Sequence, residues 1–235
     1  MKKFLVVGNP IDHSLSPALH NYWIKSNAID AIYEKKKLDA NELEQLILQV
    51  KEKKINGINV TVPFKKDIIP FLDELSIEAE STQSVNTIYL KDDKVVGHNT
   101  DIIGFETSIE KSKFNVFNKE VLILGAGGVV PSIIFALNKM KVSKIRISNR
   151  TKEKAQNLKK LFKNIEIIEW GETPKFDMII NATSLGLKKD DYINLDFSLI
   201  SKNSLFYDVI YNPGETNFLK AGKKRGNKTL NGKLM

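Results

Sequence analysis

The 235-residue sequence predicts an α/β protein in two parts: an N-terminal α/β domain over residues 1–101, then a doubly wound, Rossmann-like parallel-sheet domain over residues 102–235. Three observations lead there. Apolar runs of strand length alternate with stretches whose apolar residues recur at three- and four-residue spacing. Val121-Leu122-Ile123-Leu124 runs straight into Gly125-Ala126-Gly127-Gly128, as a buried parallel strand does when it turns tightly into a helix. The charge balance also changes near the join. Residues 1–101 hold 13 Lys and no Arg against 15 acids, net −2, whereas residues 102–235 hold 23 Lys and Arg against 13 acids, net +10.

In chain order, residues 4–7 form a short apolar strand, and residues 16–26 a helix opened by Pro17 with Ser16 as its N-cap. Residues 32–36 are a second strand. Residues 41–53 carry apolar side chains at 43, 46, 47 and 50, a helical spacing. The strand over residues 57–62 places Ile58, Val60 and Val62 on one face and Asn59 and Thr61 on the other, and Pro63 then ends its ladder. A helix is expected over residues 68–75 or beyond, and residues 85–90 and 94–98 read as a hairpin about Asp92-Asp93. In the second part, helices are expected over residues 104–113, from the glycine turn to 140, and over 152–162. Strands are expected over 120–124, 144–148, 177–181 and 205–209, the last two as third and fourth of the sheet. From Lys220 onward there are six Lys and Arg and no acid, a basic tail.

Composition excludes several classes. With 42% hydrophobic and 27% charged residues the chain is globular, and no apolar run reaches the roughly eighteen residues a membrane span needs. A cytoplasmic protein without a membrane partner is expected. The absence of cysteine rules out disulfides and thiolate chemistry, and three scattered histidines argue against a metal site. The net charge of +8 raises the alternative of a nucleic-acid-binding module. Because 33 of the 36 basic residues are lysine and the tail has no interleaved aromatics, a solvated surface accounts for the charge, and no nucleic-acid partner is expected.

Four groups of residues could carry chemistry. Gly125, Ala126, Gly127 and Gly128 let a backbone approach a pyrophosphate at a helix start, although Val130 stands where the third glycine of the pattern would be; a tight turn without ligand explains the same residues. Roughly twenty residues on, where an NAD enzyme places a carboxylate, the chain has Asn149, Arg150 and Thr151, and an arginine suits a 2′-phosphate. Lys152 and Lys154 follow. The segment Asn181-Ala182-Thr183-Ser184-Leu185-Gly186 ends a strand with small and hydroxylated residues, and Asp208-Val209-Ile210-Tyr211-Asn212-Pro213 does so one strand later. In the first part Ser14 and Ser16 put hydroxyls just ahead of a helix, Asn59, Thr61 and Lys65 lie along and just past the strand over residues 57–62, and Asn86 and Asp101 lie near ends of the hairpin strands.

Taken together, these segments resemble shikimate dehydrogenase. The resemblance is carried by Ser14-Leu15-Ser16-Pro17, the run 57–65, Ser84-Val85-Asn86-Thr87, the run 97–105, the glycine turn, Asn149-Arg150-Thr151, the run 181–186 and the run 208–213, in order along nearly the whole chain. It implies reduction of the small molecule 3-dehydroshikimate to shikimate with NADPH, by a monomer or homodimer. Residue by residue, it implies a catalytic pair of Lys65 and Asp101, and substrate contacts from Ser14, Ser16, Thr61, Asn86 and Tyr211 with Asn59 in support. It implies NADP contacts from Gly125, Ala126, Gly127, Gly128, Asn149, Arg150, Thr151, Lys154, Thr183 and Ser184. A related enzyme acting on quinate or using NAD is the nearest alternative. The family continues past this basic segment with a substrate-contacting glutamine and a terminal helix, whereas the sequence here stops at Met235, so the resemblance leaves open whether this chain has full activity.

Overall fold

The structure, a computed structural model, describes residues 1–198 and 200–235. It divides into two units, Met1–Thr100 and Asp101–Met235.

In the first unit the order is β1 (Lys2–Gly8), α1 (Ser16–Ser26), β2 (Ala31–Lys37), a 3-10 turn, α2 (Leu43–Lys51), β3 (Gly57–Val60), a 3-10 turn at Ile69–Phe71, β4 (Glu74–Leu75), α3 (Ile77–Thr82), β5 (Thr87–Lys91) and β6 (Lys94–His98). The strands make one mixed sheet in the order β2-β1-β3-β5-β6-β4. Alternation along the strands sends Leu5, Val7, Ile58, Val60 and Ile88 to the face covered by α2, whose Leu43, Leu46, Ile47 and Val50 bury against them. The opposite face carries Phe4, Val6 and Tyr33 with Ile24 of α1. Lys35, Lys36 and Lys37 lie exposed on the edge strand β2, where charge discourages pairing with another chain.

Several expectations are corrected here. Ser16 is the first helical residue of α1 and not its N-cap; Leu15 holds that position in a helical conformation, and Ser14 Oγ accepts from the Ser16 N–H at 3.3 Å. Strand β3 stops at Val60, so Val62 does not share the buried face and is 56% exposed. The helix expected over 68–75 does not form. Pro70 stands in the first turn of the 3-10 segment, where a missing N–H costs nothing; it is the Asp73 carboxylate, accepting from the Val95 N–H at 2.8 Å, that draws the chain alongside β6 as β4. The helix comes later, as α3, where Ser76 Oγ accepts from the Ala79 N–H.

In the second unit the order is α4 (Asp101–Ser112), β7 (Glu120–Leu124), α5 (Val130–Lys139), β8 (Lys144–Ser148), α6 (Lys152–Leu161), β9 (Ile165–Ile168), β10 (Met178–Asn181), β11 (Leu205–Asp208), α7 (Asn217–Lys224) and β12 (Lys228–Leu230). All its strand pairs are parallel, in the order β12-β11-β10-β7-β8-β9, so the winding reverses between β7 and β10. Val121, Ile123, Ile180 and Tyr207 point to the side of α4, α5 and α6, and Leu122, Leu124, Ile179 and Phe206 to the side of α7. Burial on both faces explains the unbroken apolar runs.

The sequence reading missed β9, which is the third strand in chain order, so residues 177–181 and 205–209 supply the fourth and fifth. It also missed α7 and β12. The residues read as a basic tail are built into the fold: Thr216 caps α7, Phe218 and Leu219 are buried, Lys223 pairs with Glu215 at 3.1 Å, Arg225 donates to Ile200 O at 3.0 Å, and Lys228 donates to Ser112 O. Charge alone hid the amphipathic pattern.

Tyr207 shows how a polar group is accommodated in this core. Ser108 Oγ donates to Phe105 O at 2.7 Å, so the Tyr207 hydroxyl, 3.0 Å from Ser108 Oγ, is the donor between them. Burial pushes the phenol up to about 12. Because the folded value exceeds the unfolded one, the stability it protects is intact below pH 10 and is lost as pH rises from about 10 through about 12, on the order of 2–3 kcal/mol. Tyr207→Phe should flatten that part of the alkaline stability profile in denaturant titrations at pH 9, 10 and 11. A slope equal to that of the unsubstituted protein would contradict it.

Candidate active site

The polar wall foreseen in the first unit lies across the α1 side of the sheet. Register sets Asn59 beside Val6 of β1 and beside Thr87 of β5. Tyr33 on β2 reaches over and donates its hydroxyl to Asn59 Oδ1 at 2.6 Å. Asn59 Nδ2 donates to Asn86 O at 3.2 Å and to Thr87 Oγ1 at 3.1 Å, and Thr87 Oγ1 donates to Asn86 Oδ1 at 3.0 Å. Asn86 continues the row: its Oδ1 accepts from the Thr100 N–H at 2.9 Å and its Nδ2 lies 2.9 Å from Thr100 Oγ1. Burial pushes the Tyr33 phenol above its ordinary value, opposed by a hydrogen bond with the Ser16 side chain. His20 stacks on the Tyr33 ring at 4.1 Å with planes 6° apart, and burial holds its pKa below the usual value, favouring a neutral imidazole.

After β3 the chain makes a turn pinned by apolar anchors. Phe64 and Ile68 are buried, and Lys65 O accepts from the Val85 N–H at 2.8 Å. Lys65 is thereby held at 9% exposure while Lys66 faces solvent, although the two are sequence neighbours of the same kind. Thr61, half-buried, packs close to β1: a Cβ on Gly8 would sit 2.6 Å from Thr61 Cγ2 and 2.9 Å from Val62 O, so only glycine fits there. Ser14 and Ser16 are also half-buried, at the start of α1. The structure thus links Ser16, Asn59 and Asn86 through Tyr33, places Thr61 and Lys65 in the turn after β3, and puts Asp101 at the first position of α4 in the second unit.

The second unit places its candidates where the winding reverses. Gly125 ends β7 with φ +107°, a left-handed conformation that favours glycine. A Cβ there would also stand 2.7 Å from Ala182 O, so the turn after β7 and the loop after β10 close on each other. Helix α5 starts only at Val130, so the turn runs through Ala126, Gly127, Gly128 and Val129, with Gly127 and Gly128 exposed. In the loop after β10, Thr183 donates its hydroxyl to Asn181 Oδ1 at 2.7 Å, and Ser184 is exposed. Asp208, fully buried, accepts from Thr216 Oγ1 at 2.5 Å, Ile210 N at 3.0 Å and Asn181 Nδ2 at 3.1 Å; burial nevertheless pushes its carboxyl up. Tyr211 follows on an exposed loop.

After β8, Asn149 Nδ2 donates to Thr151 O at 2.7 Å and Thr151 precedes α6. The three arginines differ in use. Arg146 is committed to Glu120 at 2.6 Å and Glu166 at 3.0 Å, and Arg225 to backbone carbonyls, whereas Arg150 is exposed and has no ion pair among the described residues. Lys152 is engaged with Glu169 at 2.7 Å, and Lys154, like Arg150, is exposed with no ion pair among the described residues. The sequence reading overlooked Tyr33, whose odd placement amid the charged residues of β2 was the one hint, and it took Thr87, Thr100, Asp208 and Thr216 only as polar residues at strand ends, without the hydrogen bonds they make.

A parallel sheet with this winding, a glycine turn at its reversal and an uncommitted arginine after the next strand defines a nucleotide-dependent dehydrogenase of two-part design. Comparison with known proteins narrows that class. Residues 6–88 match the shikimate dehydrogenase substrate binding domain, and residues 108–187 match shikimate / quinate 5-dehydrogenase. Shikimate dehydrogenase (NADP(+)) of Pelagibacter ubique is 64% identical over 234 residues, covering 100% of this chain and 88% of its own. The solved structure of shikimate dehydrogenase from Aquifex aeolicus, 37% identical, superposes with a TM-score of 0.90 over 100% of this chain and 87% of its own. The Thermus thermophilus enzyme in complex with NADP(H) and shikimate, 29% identical, does so at 0.89 over 99% and 87%. The chain belongs to the shikimate dehydrogenase family.

Tyr33→Phe tests whether the polar row is held from β2. It leaves Asn59 Oδ1 without its donor, and unfolding free energy should fall by about 1–2 kcal/mol in urea titrations. An unchanged midpoint would mean that Asn59 finds its acceptor role filled from elsewhere.

Proposed function

We propose that this chain reduces 3-dehydroshikimate to shikimate at the expense of NADPH, as a cytoplasmic biosynthetic enzyme working as a monomer or homodimer without nucleic-acid or membrane partners. The observation that carries the reading is Lys65, a lysine held nearly buried by its own backbone turn within a unit whose strand ends are lined with hydroxyls and amides, while Lys66 stays in solvent. Residues 1–101 serve the substrate and residues 102–235 the cofactor in this reading. No described helix is long and apolar enough to cross a membrane.

The dinucleotide, when bound, supplies a hydride to the substrate's ketone carbon. The glycine turn from Gly125 to Gly128 offers backbone N–H groups and no side-chain bulk to a pyrophosphate, and Thr183 and Ser184 flank the same crevice. Arg150, with no acidic partner among the described residues, offers its guanidinium fork to the 2′-phosphate, with Asn149, Thr151 and Lys154 around it. Lys65 stabilises the negative charge that develops on the carbonyl oxygen and delivers its proton there, leaving an alcohol; water returns the proton to the lysine. By the family pattern Asp101 serves as the catalytic partner of Lys65. Ser14, Ser16, Thr61, Asn86 and Tyr211 hold the ring hydroxyls and carboxylate, and Asn59 holds Asn86 and Thr87 in place. The NAD-using reading loses its footing in Arg150, and the nucleic-acid reading in the basic segment that folds as α7 and β12.

Two measurements check this. Lys65→Ala should lower turnover of 3-dehydroshikimate about 10²–10⁴-fold with a smaller change in substrate affinity, while Lys66→Ala changes little. Equal, modest losses at both positions would remove Lys65 from the chemistry. Arg150→Ala should weaken NADPH about tenfold or more, the worth of a charge-assisted hydrogen bond, and leave NADH nearly unchanged. Equal losses for both cofactors would remove the arginine from phosphate recognition.

A further inference from the structure

We propose that Asn181 is a positioning residue for the cofactor loop after β10, with its amide held in one orientation by Asp208. Asn181 is fully buried, and both ends of its amide are engaged. Its Oδ1 accepts from Thr183 N at 3.1 Å and from Thr183 Oγ1 at 2.7 Å, while Nδ2 donates to Leu185 O at 2.9 Å and to Asp208 Oδ1 at 3.1 Å. Turning the amide over would set its NH2 against the Thr183 N–H and its oxygen against Leu185 O and Asp208. Two donors would face each other, and so would acceptors, at a fully buried residue.

Asp208 makes that orientation one-way. Its other partners, the Thr216 hydroxyl at 2.5 Å and the Ile210 N–H at 3.0 Å, donate to it, so the carboxylate acts as acceptor throughout. Asn181 therefore presents its oxygen to Thr183. With its proton committed to Asn181, Thr183 Oγ1 accepts from the Leu185 N–H at 3.0 Å. The series from Thr216 through Asp208, Asn181 and Thr183 to Leu185 dictates the path of residues 182–186. That path matters because Ala182 O borders the glycine turn at the distance of a forbidden Cβ on Gly125. A loop displaced by a few tenths of an ångström changes the width of the crevice between β7 and β10. The inference rests on the reading that NADPH occupies this crevice, and adds to it two buried residues that set the geometry from beneath.

The test is direct NADPH titration by fluorescence, steady-state kinetics and shikimate affinity, on the unsubstituted protein, Asn181→Ala, Thr183→Val, their double variant and Asp208→Asn. The unsubstituted protein comes first, since failure to bind NADPH there would sink the functional reading and the inference with it. Asn181→Ala should raise the Kd and KM for NADPH about tenfold, with kcat within about threefold and shikimate affinity within about twofold. The double variant should be no worse than the worse single, because both changes act through one contact. Asp208→Asn keeps the shape but lets the Asn181 amide turn, so it should reproduce part of the loss, about threefold. A lowered thermal midpoint with unchanged NADPH affinity would show a structural role only and overturn the inference, as would equal weakening of shikimate or additivity with Thr183→Val. Should Asn181→Ala fail to fold, the cycle of Asp208→Asn with Thr183→Val carries the decision, and unchanged NADPH affinity in Asp208→Asn overturns it.

Discussion

A polar side chain that leaves a strand inside a packed core must find its hydrogen bonds within the protein, because an unsatisfied group there costs about 1–3 kcal/mol. Asn181 carries this constraint in full at the switch point of the parallel sheet, and the half-buried Asn59 carries part of it at the polar row of the mixed sheet. Asparagine answers it where other small residues fail, since one planar group accepts on one side and donates on the other. Each asparagine joins its own strand to segments far away in sequence. Asn59 ties β3 to Tyr33 on β2 and to Thr87 on β5, and Asn181 ties β10 to Asp208 on β11. The geometry at the ends of these strands follows from that requirement.

The same requirement separates polar residues that work on structure from those left open to a ligand. Arg146, Arg225, Lys152 and Lys228 are spent on carboxylates and carbonyls of the second unit, which disposes of much of its basic excess. Arg150 stands apart because no acid among the described residues faces it. In the first unit, hydrogen bonds consume Asn59, Thr87 and Tyr33 in one another, and their value lies in rigidity. A site whose supporting groups have already met their own needs loses little by reorganising when substrate arrives.

How much was legible from the chain depends on the range of the interaction behind each feature. Apolar alternation and unbroken apolar runs arise from burial within a strand's own neighbourhood, so β1, β3, β7, β8 and β10 could be read directly, as could the glycine turn, where φ at Gly125 admits few alternatives. The motifs that mark the family sit at strand ends for the same local reason. The short strands β4, β9 and β12 could not be read, because each owes its place to partners elsewhere: β4 to β6 through Asp73, β9 to β8, and β12 to β11. The helix expected near Pro70 and the cap expected at Ser16 failed where local preference yielded to long-range contacts.

By itself, then, the sequence determined the two-part α/β plan, the turn that suits a pyrophosphate, the arginine after β8 and the family, because each of these is written in residues adjacent along the chain. Only the tertiary structure decided that Lys65 is buried while Lys66 is not, that Tyr33 holds Asn59 from β2, that the basic terminal segment folds as α7 and β12, and that Asp208 orients Asn181. Those outcomes depend on which atoms meet across tens of residues, and a hydrogen bond between distant segments leaves no periodic trace in the sequence that makes it.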